Sequence, residues 1–136
     1  MNKIAIAILG FFLTLPVLAH DWPHENISEA VFALSVEDRT PVDIVEEVDN
    51  SLGKIYFFTN IRDLKGEYIT HRWIYDNNVM TNVRFEILGP RWRVWSSKNL
   101  WHTWTGQWTV QVLVDDGTML YEKTFNYKHQ EITENE

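Results

Sequence analysis

Residues 67–87 read EYITHRWIYDNNVMTNVRFEI. Up to Tyr75 the side chains alternate, with Ile69, His71, Trp73 and Tyr75 on one side and Tyr68, Thr70, Arg72 and Ile74 on the other, which is the period of a strand. Asp76, Asn77 and Asn78 then supply residues that tolerate positive φ and hydrogen-bond their own backbone. Past them Val79, Thr81, Val83, Phe85 and Ile87 line one face, opposite Met80, Asn82, Arg84 and Glu86. The stretch predicts a β-hairpin, and the same period organises the rest of the chain.

Toward the N-terminus, Ala30, Phe32, Leu34 and Val36 form an apolar row, a short strand is expected at 42–45, and KIYFFT at 54–59 reads as a central strand. Toward the C-terminus, Gly89-Pro90 breaks the chain, a strand follows at 91–97, and 99–105 reads as a loop. Trp108, Val110, Val112 and Val114 alternate with polar positions, Asp115-Asp116-Gly117 turns, and 119–127 is the last strand. No segment has helical periodicity. About seven strands with turns roughly every 8 to 12 residues predict an all-β, immunoglobulin-like antiparallel β-sandwich, with Trp73 as its buried core tryptophan. A small β-barrel is the alternative. The sandwich is expected over 30–128, an irregular lead-in over 20–29 and a disordered tail over 129–136.

Lys3 followed by an apolar run over 4–15, Pro16 and Val17-Leu18-Ala19 has the layout of a secretory signal peptide cleaved after Ala19. The run is shorter than the roughly 20 residues of a membrane span, so the expectation is a periplasmic or secreted, monomeric protein with no integral membrane segment. With no cysteine, stability must come from packing, which 45% hydrophobic and 14% aromatic residues can supply. Charge is unevenly spread: 20–50 carries nine acids and one base, 51–110 four acids and eight bases, and 111–136 six acids and two bases. The acidic total argues against nucleic-acid binding, while the basic middle leaves room for a local anion site.

Several stretches together resemble a bacterial family of domains of unknown function, DUF2914: RTPVD at 39–43, YFFT at 56–59, HRW at 71–73, GPRWRVWSSK at 89–98 and WTGQWTVQV at 104–112. The resemblance runs over about residues 30–125. It implies a compact domain of exported or envelope proteins and transfers no established activity.

Function therefore has to be argued from side chains, and RWRVWSSKNLWHTWTGQW at 91–108 holds five of the seven tryptophans. On a strand, Arg91, Arg93 and Trp95 face one way and Trp92 and Val94 the other, so the latter pair is expected in the core, together with Trp108. Trp101 and Trp104 fall in the loop, where alternation decides nothing. A recognition surface would join Arg91, Arg93, Trp95, Lys98, Trp101, His102 and Trp104, with Arg72 from a neighbouring strand, to hold an anionic glycan or an envelope protein. The competing reading is a structural or protein-interaction module whose tryptophans are all core. His71, sharing a face with Trp73, is expected to be a hydrogen-bonded core residue. A third reading is copper at a mature N-terminal His20, whose amine and imidazole could be joined by His24, His71 or His102. Otherwise no cofactor is expected. No G-x-S-x-G, H-E-x-x-H, P-loop or cysteine nucleophile occurs, and adjacent carboxylates on a strand point apart, so an enzyme is not expected.

Overall fold

The structure, a computed structural model, describes residue 10 and residues 21–131 of the 136. The expected signal peptide, apart from Gly10, and His20 lie outside the described residues, as do the last five residues of the expected tail. Nine strands follow one another among the described residues: β1 (Ile27–Glu37), β2 (Thr40–Val45), β3 (Glu47–Asp49), β4 (Lys54–Arg62), β5 (Tyr68–Tyr75), β6 (Asn78–Glu86), β7 (Arg91–Asn99), β8 (Gly106–Val114) and β9 (Met119–Lys128). They form two sheets, ordered β2-β1-β4-β7 and β3-β9-β8-β5-β6. Both sheets are open, so the molecule is a β-sandwich and not the alternative barrel. No helix is long and apolar enough to cross a membrane among the described residues.

Two features differ from the expected seven antiparallel strands. The three-residue β3, too short and acidic to register as a period, pairs parallel to β9. β1 begins at Ile27, inside the stretch expected to be irregular, because Ile27 is buried and pairs with Ile61.

Alternation places the core where the sheets face each other. Phe32, Phe57, Trp73, Trp108 and Phe125 are all buried there, with edge-on contacts of 6.2 Å between Phe32 and Trp73 and 4.8 Å between Phe32 and Phe125. Val94 is buried and Trp92 packs partly against the same core, as expected. Asp76 and Asn77 make the β5–β6 turn with φ of 48° and 60°, the positive angles that two-residue hairpin loops require. A bulge then changes the facing of β6: Trp73 pairs with Thr81 but Ile74 with Val79. Met80 is the extra residue, so it packs against the core and Val79 is exposed, the reverse of simple alternation.

A second departure shapes the outside. β1 and β2 pair out to Glu37 and Thr40, past Ala33, the last β1 residue paired with β4. Arg93 lies across β4 from Glu29, so a flat sheet would hold Arg39 roughly 25 Å away along the strands. Yet Arg93 Nη1 donates to the Arg39 carbonyl at 3.1 Å. The hairpin end therefore folds back over the outward face of the four-stranded sheet, and Asp43, at φ 57° within β2, breaks the extended backbone near the bend. This accounts for Ala33 and Phe58, which point outward by alternation and are nonetheless buried.

Candidate functional site

β7 is an edge strand of the four-stranded sheet. Its odd-numbered residues look outward: Arg91, Arg93 and Trp95 are exposed, as alternation predicts, and Trp95 stacks on Phe58 of β4 at 6.2 Å. Opposite them on β4 stand Arg62, Asn60 and Phe58. Two arginines directly across a strand pair repel. Arg62 resolves this by turning toward β1, where its Nε donates to Ser28 Oγ at 2.9 Å and its guanidinium lies 5.2 Å from the Trp22 ring. Asn60, opposite Arg93, has a buried Oδ1 without a hydrogen-bond partner.

Arg39, carried in by the folded-back hairpin, completes a notch of about 280 Å³ lined by Arg39, Arg91, Trp92, Arg93 and Trp95. No carboxylate lines it. Among the described residues the ion pairs are Arg84–Asp115, Lys123–Glu46 and Lys128–Glu47, and none of them uses a notch arginine. Glu29 is two strands from Arg93 across Asn60, about 10 Å and so beyond contact. Three arginines thus line one concavity, and no acidic residue lines it with them. Guanidinium forks offer paired N–H groups to a carboxylate, sulfate or phosphate.

The other residues expected at this surface lie elsewhere. Lys98 is even-numbered on β7 and faces inward, its Nζ 5.3 Å from the Trp104 ring. Arg72 belongs to β5 in the other sheet, where its Nε donates to Asn82 Oδ1 at 2.9 Å, so it cannot meet Arg91 or Arg93. Trp101, 59% exposed, leans on His102 beyond the far end of β7, roughly 30 Å from Arg91. Trp104 is half-buried and packs on Trp108, whose Nε1 donates to the Trp104 carbonyl at 2.9 Å. The tryptophan-rich stretch therefore divides into core, loop and notch, and the tryptophans are not all core. Arg39 was missed, although it is the sole base among the nine acids of 20–50. Its isolation there was the available signal.

His71 is fully buried between the sheets, as expected of a structural histidine. Its partners fix its tautomer. Trp73 Nε1–H donates to Ser96 Oγ at 3.0 Å, which leaves the Ser96 hydroxyl proton for His71 Nδ1 at 2.8 Å. On the other side Thr59 Oγ1 donates to the Val94 carbonyl at 3.3 Å and so accepts from His71 Nε2 at 3.0 Å. One proton per bond runs through the chain, and it closes only with a neutral imidazole. Burial pushes the His71 pKa down to about 3.

Both nitrogens being engaged, His71 is not available as the imidazole expected to join His20 on copper. His24 accepts from the Asn26 amide at Nδ1, near the Ile27 end of β1, whereas His102 lies at the opposite end of that sheet. No group of three or more His, Cys, Asp or Glu residues suited to a metal occurs among the described residues.

Residues 66–127 match the model of the family described as "Protein of unknown function (DUF2914)". The match runs from the turn before β5 to the end of β9, so HRW, GPRWRVWSSK and WTGQWTVQV lie inside it and RTPVD and YFFT before it. No curated protein matches the chain.

Proposed function

Residues 66–127 belong to the DUF2914 family, and from that premise we propose that the chain is a non-enzymatic binding module of the bacterial cell envelope that takes an anionic ligand at the Arg39–Arg91–Arg93 notch. The observation that carries the reading is that three arginines, outside any ion pair of the described residues, line one concavity that no acidic residue lines. Ion pairs engage only Arg84, Lys123 and Lys128 among the described lysines and arginines, so what sets these three apart is that they line one concavity together. Like charges grouped in this way repel one another, and a bound anion relieves that repulsion. Trp95 adds an aromatic face at the rim, suited to the apolar side of a sugar ring or an aliphatic segment. Envelope placement rests on the signal-peptide layout of residues 1–19.

The test is tryptophan fluorescence of the wild-type protein titrated with polygalacturonate and with dextran sulfate. The reading expects a saturable change that weakens steeply with salt, is absent with neutral dextran, and is lost in Arg91→Ala/Arg93→Ala. A response that survives that double substitution places the ligand elsewhere and overturns the assignment.

A further inference from the structure

The notch is lined by Trp92, which faces inward on β7, and by Arg91, Arg93 and Trp95, which face outward. Residues from both faces of one strand can border a single concavity only beside the strand, so the notch lies along the free edge of β7. The backbone there is open in a defined way. Leu100 N donates to the Gly53 carbonyl at 2.9 Å, and the β4–β7 register carries on from that pair without a bulge. In an antiparallel ladder every second residue bonds to the partner. Even-numbered β7 residues therefore bond to β4, and Arg91, Arg93, Trp95 and Ser97 turn their N–H and C=O groups to the open edge. The residues that present the arginines also present the main chain.

The other sheet edges are blunted. β2 carries Pro41 and the break at Asp43, β3 covers only Asn126–Lys128 of β9 while a bulge at Leu120 interrupts the rest of that edge, and β6 has the bulge at Met80. Arg84 on β6 is already occupied by Asp115 and by the Tyr68 ring, 3.7 Å away. β7 is nine residues long, with neither proline nor bulge, and carries three bases and no acid. A second copy's β7 would bring the same three charges against it.

Resting on the anion reading above, we propose that the ligand is an extended acidic peptide that adds to the four-stranded sheet as a strand beside β7. Its carboxylates, two residues apart, share the outward face with Arg91 and Arg93, and Arg39 closes over them. The side chains between point inward against Trp92. Main-chain bonds to Arg91, Arg93 and Trp95 fix the register.

The experiment measures amide hydrogen exchange of the whole protein with three probes: a short peptide alternating Glu and Val, the same peptide N-methylated on alternate amides, and polygalacturonate. The expected result is exchange slowed at least tenfold at the Arg91, Arg93 and Trp95 amides by the unmodified peptide. N-methylation, which keeps every charge, should weaken binding by at least the same factor. Equal binding of both peptides without edge protection overturns strand addition and leaves the anion site standing. If the peptides and polygalacturonate all fail to bind, the anion reading falls with it.

Discussion

A neutral imidazole sealed inside a β-sandwich ties stability to pH. His71 has a folded pKa of about 3 against roughly 6.5 in an unfolded chain, so the unfolded state takes up the proton first as pH falls. Its contribution is fully present above about pH 6.5 and is lost progressively toward pH 3. Between pH 7.5 and 5 the loss amounts to about 2 kcal/mol, measurable as a lower urea midpoint. Asp49 and Asp115, held below the ordinary carboxylate range by hydrogen bonds from Ser51 and Arg84, lose their contribution only at lower pH, leaving that window to His71. Equal stability at the two values would contradict the neutral hydrogen-bond chain. Ser96→Ala removes the acceptor of Trp73 Nε1 and the donor to His71 Nδ1 together, and should cost about 2 to 4 kcal/mol in denaturant unfolding. A cost below 1 kcal/mol would mean that neither bond matters. His71 was legible as a core histidine because it alternates with Trp73. Its partners Thr59 and Ser96 were not, since they come from strands 12 and 25 residues away in the chain.

Strand parity gave the right facing wherever the ladder is regular, as at Trp92, Val94, Arg91 and Arg93 on β7, and failed at the β6 bulge. That bulge makes a sharp prediction. Val79→Lys, at an exposed position, should change stability by less than about 0.5 kcal/mol, whereas Met80→Lys should cost about 2 kcal/mol or more. Thermal unfolding with the reverse order would restore simple alternation and remove the bulge. Lys98 shows the other kind of miss: its even number already placed it opposite Arg91 and Arg93, and closeness in sequence alone had grouped them. The β1–β2 turn holds Asp38 and Arg39 at φ of 48° and 57°. A left-handed arginine is strained by about 1 to 2 kcal/mol, and its carbonyl, not its side chain, receives Arg93. Arg39→Gly should therefore raise stability by about 1 kcal/mol while weakening anion binding several-fold, strain being retained where a side chain is needed for function. Higher stability with unchanged affinity would remove Arg39 from the site.

For the whole molecule, the sandwich and its Trp73 core were legible because they follow from a period of two repeated along the chain. The site was half legible. Arg91, Arg93 and Trp95 share a face by parity, but their third arginine arrives by a fold-back that no local pattern encodes, and Arg72 was lost because sheet membership is a property of topology. The proposed binding depends on that fold-back, and a double-mutant cycle measures it directly. Polygalacturonate affinity is determined by calorimetry for wild type, Arg39→Ala, Arg93→Ala and the double variant. The expected result is about tenfold loss in each single variant and a coupling of about 0.5 kcal/mol or more, since side chains acting on one bound anion do not lose affinity independently. Wild-type affinity in Arg39→Ala would contradict it, because residues brought together only by the folded hairpin would then not share a ligand.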